Sequence, residues 1–168
     1  MKISYISNSS CPSQLPSSLQ IVKTCEYLSK YGNQVFLILP NTYAFNVKIS
    51  NFYNIKYKFK IIRLTKFKKF PIGLKYYLFS LLSFFKAKKI SELIITRNYF
   101  VIFLCHLFKV KCAIELHNDI KNESRIVRFI YKYLNILNSK SITKIICISQ
   151  GVKRKYVDDF NLQNNKKI

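Results

Sequence analysis

LSKYGNQVFLILP, residues 28–40, carries the reading of the fold. Lys30–Gly32 closes a helical pattern, and Gly32 stands where a helix needs a residue able to turn left-handed past its end. Residues 34–40 then run apolar without alternation. A strand with one wet face alternates polar and apolar residues. A strand apolar at every position is covered on both faces, as in parallel sheets with helices on each side. Upstream, Leu19, Val22, Cys25 (or Ile21) and Leu28 recur at helical spacing. Ser17 precedes Gln20 by three residues, a capping-box spacing that predicts the helix start. Before it, KISYI (2–6) predicts a strand and SNSSCPSQLP (7–16) a loop.

The alternation continues downstream. KIIRL (60–64) predicts a strand, and GLKYYLFSLLSFFKAKK (73–89) a helix apolar nearly all round. ELIITR (92–97) predicts a strand, NYFVIFLCHLFK (98–109) a short buried helix, and KCAIELH (111–117) a strand. ESRIVRFIYKYLNILN (123–138) predicts one amphipathic helix, with Ile126, Ile130, Tyr133 or Leu134, and Leu137 on one side. TKIICIS (143–149) predicts a strand and SQGVKRKYVDDF (149–160) a helix with Ser149 as its N-cap. Residues 41–59 predict a loop with a ragged strand. Strands alternating with helices predict an α/β fold: about six parallel strands in the order 3-2-1-4-5-6, helices on both faces, one domain over residues 1–168.

Composition narrows the class. The 168 residues carry 29 Lys+Arg against 7 Asp+Glu, a formal net charge of +22. Such a charge suits nucleic acid or an anionic membrane. It also suits a chain drifted toward Lys, Ile, Asn, Phe and Tyr by an AT-rich genome. Arg is rare beside Lys, which speaks against base reading. With 3 Gly and no Trp, propellers, β-sandwiches and glycine-rich phosphate loops are disfavoured. Cys11, Cys25, Cys105, Cys112 and Cys147 form no CxxC pair and read as small core residues in a reducing compartment. No metal is expected, since only His106 and His117 could assist the thiols, and no cofactor is expected. The N-terminus lacks the apolar core of a signal peptide. The apolar runs 76–85 and 98–108 fall short of the about 20 residues a span needs.

In parallel α/β sheets, ligands bind beyond the carboxyl ends of the strands. That rule selects Asn8 and Ser10 after the first strand, Arg97 and Asn98 after the fourth, His117 and Asn118 after the fifth, and Ser149 after the sixth. Glu115 and His117 share a face of the fifth strand. His117 is either a group that bonds a sugar hydroxyl or a developing charge, or a histidine bonded to loop backbone. Arg97 either binds phosphate or carboxylate, or pairs with Glu115 or Asp119 and braces the loops. His106, within FLCHLF, reads as a core or interface histidine.

LQIVKTCEYLSKYGNQVFLILP, ELIITRN, AIELHND and CISQGVKRKYVDDFNLQNNKKI, taken in order, resemble the N-terminal domain of GT-B glycosyltransferases, most nearly the retaining family 4 type. The resemblance implies a Rossmann-like domain that binds acceptor, and an enzyme moving a sugar from a nucleotide-sugar donor to a lipid-linked or polysaccharide acceptor, as in cell-envelope polysaccharide synthesis. It implies that His117 lies near the transferred sugar and Arg97 in the cleft. The family's donor-binding second domain has no counterpart in these residues. The expectation is therefore a truncated, split or decayed half, inactive alone, with a partner chain as one source of the missing domain. The alternative is a non-catalytic, membrane-peripheral Rossmann-like module, and a nucleic-acid binder is disfavoured. The expected location is cytoplasmic, at the inner face of the membrane. There Lys66, Lys68, Lys69, Lys86, Lys88 and Lys89, flanking the apolar segment 73–85, would meet anionic lipid.

Overall fold

A computed structural model describes residues 1–41, 48–64, 71–162 and 168, apart from the side chain of Ile72. Six parallel strands form one sheet in the order β3-β2-β1-β4-β5-β6, flanked by helices, as the alternation predicts. The strands are β1 (Lys2–Ile6), β2 (Gln34–Pro40), β3 (Lys60–Leu64), β4 (Leu93–Thr96), β5 (Cys112–Leu116) and β6 (Ile142–Cys147). The helices are α1 (Pro16–Lys30), α2 (Ile49–Phe52), α3 (Ile72–Ile90), α4 (Tyr99–Leu107), α5 (Arg125–Tyr133) and α6 (Gln150–Phe160). The chain divides into two compact units, Met1–Ile94 and Ile95–Ile168.

In the first unit, β2 runs beside both β1 and β3, with Ile3 opposite Val35 and Leu37 opposite Ile61. Val35 to Leu39 are buried at every position, which is why that stretch shows no alternation. Helix α1 starts earlier than its capping-box spacing predicts. Leu15 is the N-cap, makes no side-chain cap bond, and is followed by Pro16 at the first helical position. Proline presets the helical φ and has no N–H to be capped there, so Ser17 is left exposed inside the helix. The buried face of α1 is Ser18, Ile21, Val22, Cys25 and Glu26; Leu19, expected in the core, faces solvent. Gly32 adopts φ +77°, as the helix end requires. Within 41–59 the described residues hold the short helix α2 and no strand. Lys48 and Tyr53 frame it; the Tyr53 hydroxyl donates to the Ser13 carbonyl at 2.7 Å and ties the loop after β1.

Helix α3 packs on β1, β2 and β3. It buries Phe79, Ser80, Ser83, Phe84 and Ala87, one face at helical spacing. The two serines satisfy their hydroxyls on the helix itself, Ser80 donating to Tyr76 O at 2.7 Å and Ser83 to Ser80 O at 3.0 Å. Apolar residues on both sides of α3 thus have different fates, since Leu74, Tyr77, Leu82 and Phe85 are exposed. Lys86, Lys88 and Lys89 are also exposed; Lys66, Lys68 and Lys69 lie outside the described residues.

In the second unit, β5 is buried at all five positions and pairs with β6. The register shifts between Cys112 and Ala113, which face Ile142 and Lys144. Thr143 is the extra residue, and its hydroxyl bonds the Cys112 carbonyl at 3.1 Å. The stretch 123–138 is not one helix. Helix α5 ends at Tyr133, Asn135 turns left-handed (φ 46°), and a 3-10 turn follows at Ile136–Asn138. Its orientation also reverses expectation. Leu137 is buried, but Ile126, Tyr133 and Leu134 are exposed, while Tyr131 is buried. The Tyr131 ring meets the Tyr99 ring edge-on at 5.4 Å, and its hydroxyl donates to the Tyr99 carbonyl at 2.6 Å. A ring with a satisfied polar tip can face inward. Helix α6 starts at Ser149 as predicted, the hydroxyl accepting from Val152 N at 3.2 Å.

Candidate functional site

The centre of the second unit's polar cluster is Glu115, on β5 and only 6% exposed. Its Oε2 receives Arg97 Nε at 2.9 Å and lies 2.8 Å from Arg97 Nη2. The same oxygen stands 3.5 Å from His117 Nε2. β4 ends one residue before Arg97, and β5 ends one residue before His117. Both side chains therefore belong to strand ends and are aimed by rigid backbone. Residues 115 and 117 share a face because side chains alternate along a strand. Of the two roles open to Arg97, the pairing with Glu115 is formed. Asp119 is engaged elsewhere, by Lys155 at 3.0 Å.

Arg97 Nη2 is within ion-pair distance of Glu115, yet neither it nor His117 Nε2 has a hydrogen-bond partner among the described residues. Both atoms are buried. Burial pushes the His117 pKa below its ordinary value, and the Arg97 charge adds to that; Glu115 pulls the opposite way and loses. His117 is therefore an uncharged imidazole at neutral pH. The cluster presents a fixed guanidinium and a neutral imidazole, both braced by one buried carboxylate.

The loop after β5 is held by tyrosines. Tyr156, fully buried on α6, donates to the Asn118 carbonyl at 3.1 Å and shares a 2.6 Å hydroxyl contact with Tyr99. Burial, and then the Tyr99 contact, push the Tyr156 phenol far up, so it stays a neutral donor. Asp119 accepts from Lys121 N at 2.9 Å and caps the turn at Ile120–Asn122. Asn118 itself is exposed beside His117. Tyr99, Tyr131 and Tyr156 are not among the candidates that strand-end position selects. The available signal was Tyr156 four residues before Phe160, one helical turn along the buried side of α6.

The remaining candidates have local roles. Asn98, 6% exposed, caps α4 by accepting from Val101 N at 3.1 Å, and its own N–H bonds the Thr96 hydroxyl. Ser149 caps α6 and lines a cavity of about 400 Å³ with Gln150, Lys153, Cys147, Ile145, Ile148 and Ile168. Asn8 and Ser10 belong to the first unit. There the loop after β1 is fixed through Ser10 O, which accepts from the buried Ser18 hydroxyl at 3.0 Å, and through Cys11 O, which accepts from Arg63 Nη2 at 2.7 Å.

Among the described residues, no group of three or more His, Cys, Asp or Glu side chains could hold a metal ion. No helix among them is long and apolar enough to cross a membrane. No family model matches the chain, and no curated protein matches it with significance. Fold and site together define a Rossmann-like α/β protein with a carboxylate-braced arginine and histidine at its strand ends.

Proposed function

We propose that the chain is the acceptor-side half of a GT-B glycosyltransferase. It would help transfer a sugar from a nucleotide-sugar donor to a hydroxyl of a lipid-linked or polysaccharide acceptor. The observation that carries this reading is the strand-end pair of Arg97 and His117, both facing the buried Glu115 carboxylate and each still about a fifth exposed. A neutral imidazole bonds a sugar hydroxyl without opposing the positive charge that develops on an oxocarbenium-like transition state. The guanidinium offers N–H donors in a fixed plane to a phosphate or hydroxyl oxygen. Rigid strand ends hold both groups in place before substrate arrives, which is where positioning contributes to rate. On this reading the groups that hold the donor diphosphate lie outside these 168 residues, so the chain alone binds acceptor and turns over no donor.

The test follows the His117 ring by NMR while sugars and nucleotide-sugars are added. Hydroxylated acceptor analogues are expected to shift the ring signals, and the shift is lost in Arg97→Gln. Donor hydrolysis and transfer should be absent. Ring signals unmoved by every sugar, or turnover by the lone chain that survives His117→Ala, would defeat the proposal.

A further inference from the structure

Helix α5 exposes an apolar row that no other described residue covers. Ile126 is 71% exposed, Phe129 68% and Tyr133 77%. At 100° per residue these three positions fall on one side of the helix. The rings of Phe129 and Tyr133 stack on one another at 5.7 Å. Beside this row runs a basic one. Arg125, Arg128 and Lys132 follow helical spacing and, with Lys121, surround a cavity of about 200 Å³. Asp159 is the one acidic residue lining it among the described residues, and Phe129 and Phe160 form its apolar wall. The Arg128 Nε is buried and has no hydrogen-bond partner among the described residues. The Lys132 ammonium lies over the Phe160 ring at 5.9 Å.

We propose that α5 is a membrane-docking helix that seats the protein on an anionic phospholipid bilayer. In this arrangement the phosphate of a lipid headgroup enters the cavity between Arg125, Arg128 and Lys132. Ile126, Phe129 and Tyr133 sink into the boundary between headgroups and acyl chains. Apolar and cationic rows side by side on one helix are the form an interfacial helix takes. Charge complementarity names the occupant: a net charge of +22 and four cations against one carboxylate at the cavity favour an anionic surface. The row 126, 129, 133 offers hydrocarbon and ring edges but few hydrogen-bonding groups, so lipid suits it better than nucleic acid. Helix α3, the segment that composition alone points to, differs. Its most buried face lies on the sheet. The docking role stands independently of the sugar-transfer reading, because it uses none of Arg97, Glu115 or His117.

The chain contains no tryptophan, so Phe129→Trp places a single reporter on the proposed surface. Its emission should shift to the blue with vesicles of phosphatidylcholine containing about a third phosphatidylglycerol, and not with phosphatidylcholine alone. Sedimentation of the unmodified chain should show the same preference, weakening as salt rises. Replacing Arg125, Arg128 and Lys132 together by Gln should weaken binding on the order of a hundredfold, about fivefold for each charge. Ile126→Ser with Phe129→Ser should weaken it about tenfold or more while circular dichroism stays unchanged. Replacing Lys86, Lys88 and Lys89 on α3 should have the smaller effect. The proposal is overturned if the reporter does not shift, if neutral vesicles bind equally, or if the α3 variant releases the protein and the α5 variants do not. A DNA duplex that displaces the protein from vesicles, with the same dependence on α5, would assign the surface to nucleic acid instead.

Discussion

Two glutamates of nearly equal burial, Glu26 in the first unit and Glu115 in the second, do opposite work. Glu26 faces backbone. Its Oε1 accepts from the N–H groups of Lys56 and Tyr57, and its Oε2 pairs with Lys23 at 2.7 Å. Those bonds attach α1 to the segment that leads into β3. Glu115 faces side chains: Arg97 and His117, which its neighbours leave partly exposed. A carboxylate bonded to backbone holds the chain. A carboxylate bonded to side chains holds tools, because guanidinium and imidazole keep further donors to offer. Burial alone does not separate the two cases; the identity of the donors does.

The largest expected effect tests the side-chain clamp. Glu115→Ala leaves the Arg97 charge without its partner and should cost about 3 kcal/mol of unfolding free energy. Arg97→Met combined with Glu115→Leu should recover most of that loss, since it removes both charges. Urea denaturation of the three variants checks this. A Glu115→Ala cost smaller than that of Glu26→Ala would reverse the comparison.

Glu26→Ala comes next, at about 2 kcal/mol, because it strips the acceptor from two backbone N–H groups. The two sites also differ in acid. Burial alone would raise the Glu26 carboxyl, but the Lys23 ammonium and the Lys56 and Tyr57 N–H groups outweigh it and hold the group below its ordinary value of 4.5. Its contribution is therefore complete above that value and is lost as pH falls through the lower, folded one. His117 is held below its ordinary value of 6.5, first by burial and then by Arg97. The unfolded chain takes up that proton more readily, so stability begins to fall once pH drops below the ordinary histidine range. Acid titration of stability should show a histidine step at higher pH than the carboxylate step, and His117→Gln should abolish the first alone.

Tyr156→Phe is expected to cost about 1 kcal/mol, through loss of the bonds to Asn118 O and the Tyr99 hydroxyl. Thermal melts measure it. The same variant should broaden the NMR signals of residues 117–119, because that loop loses its tether. The gentlest test reads the titration midpoint of His117. Arg97→Gln should raise it, and Glu115→Gln should lower it, each by removing one of the charges that face the ring. Equal midpoints in all three proteins would mean that the cluster is not electrically coupled.

How much was legible before folding varies by element. The covered strand 34–40, the glycine at 32 and the serine at 149 were readable because each reflects a local rule: periodicity, left-handed φ, or a side chain reaching its own backbone. The start of α1 was misread because Ser17 and Pro16 both obey local helix-start rules, and the proline sits one residue earlier. The tyrosines were missed because nothing local marks a phenol whose acceptor lies 32 or 38 residues away.

By itself, then, the sequence determined the alternation of strands and helices and the strand ends at which Arg97 and His117 stand. Short-range sterics and the hydrophobic period act within a few residues and need no partner. Only the tertiary structure decided that Arg97 closes on Glu115, 18 residues away, rather than on Asp119. It also decided which side of α5 meets water. A helix with one apolar row and a tyrosine on another side can be rotated either way by its own periodicity. The Tyr99 carbonyl, by satisfying the Tyr131 hydroxyl, turned the tyrosine inward and left Ile126, Phe129 and Tyr133 outside.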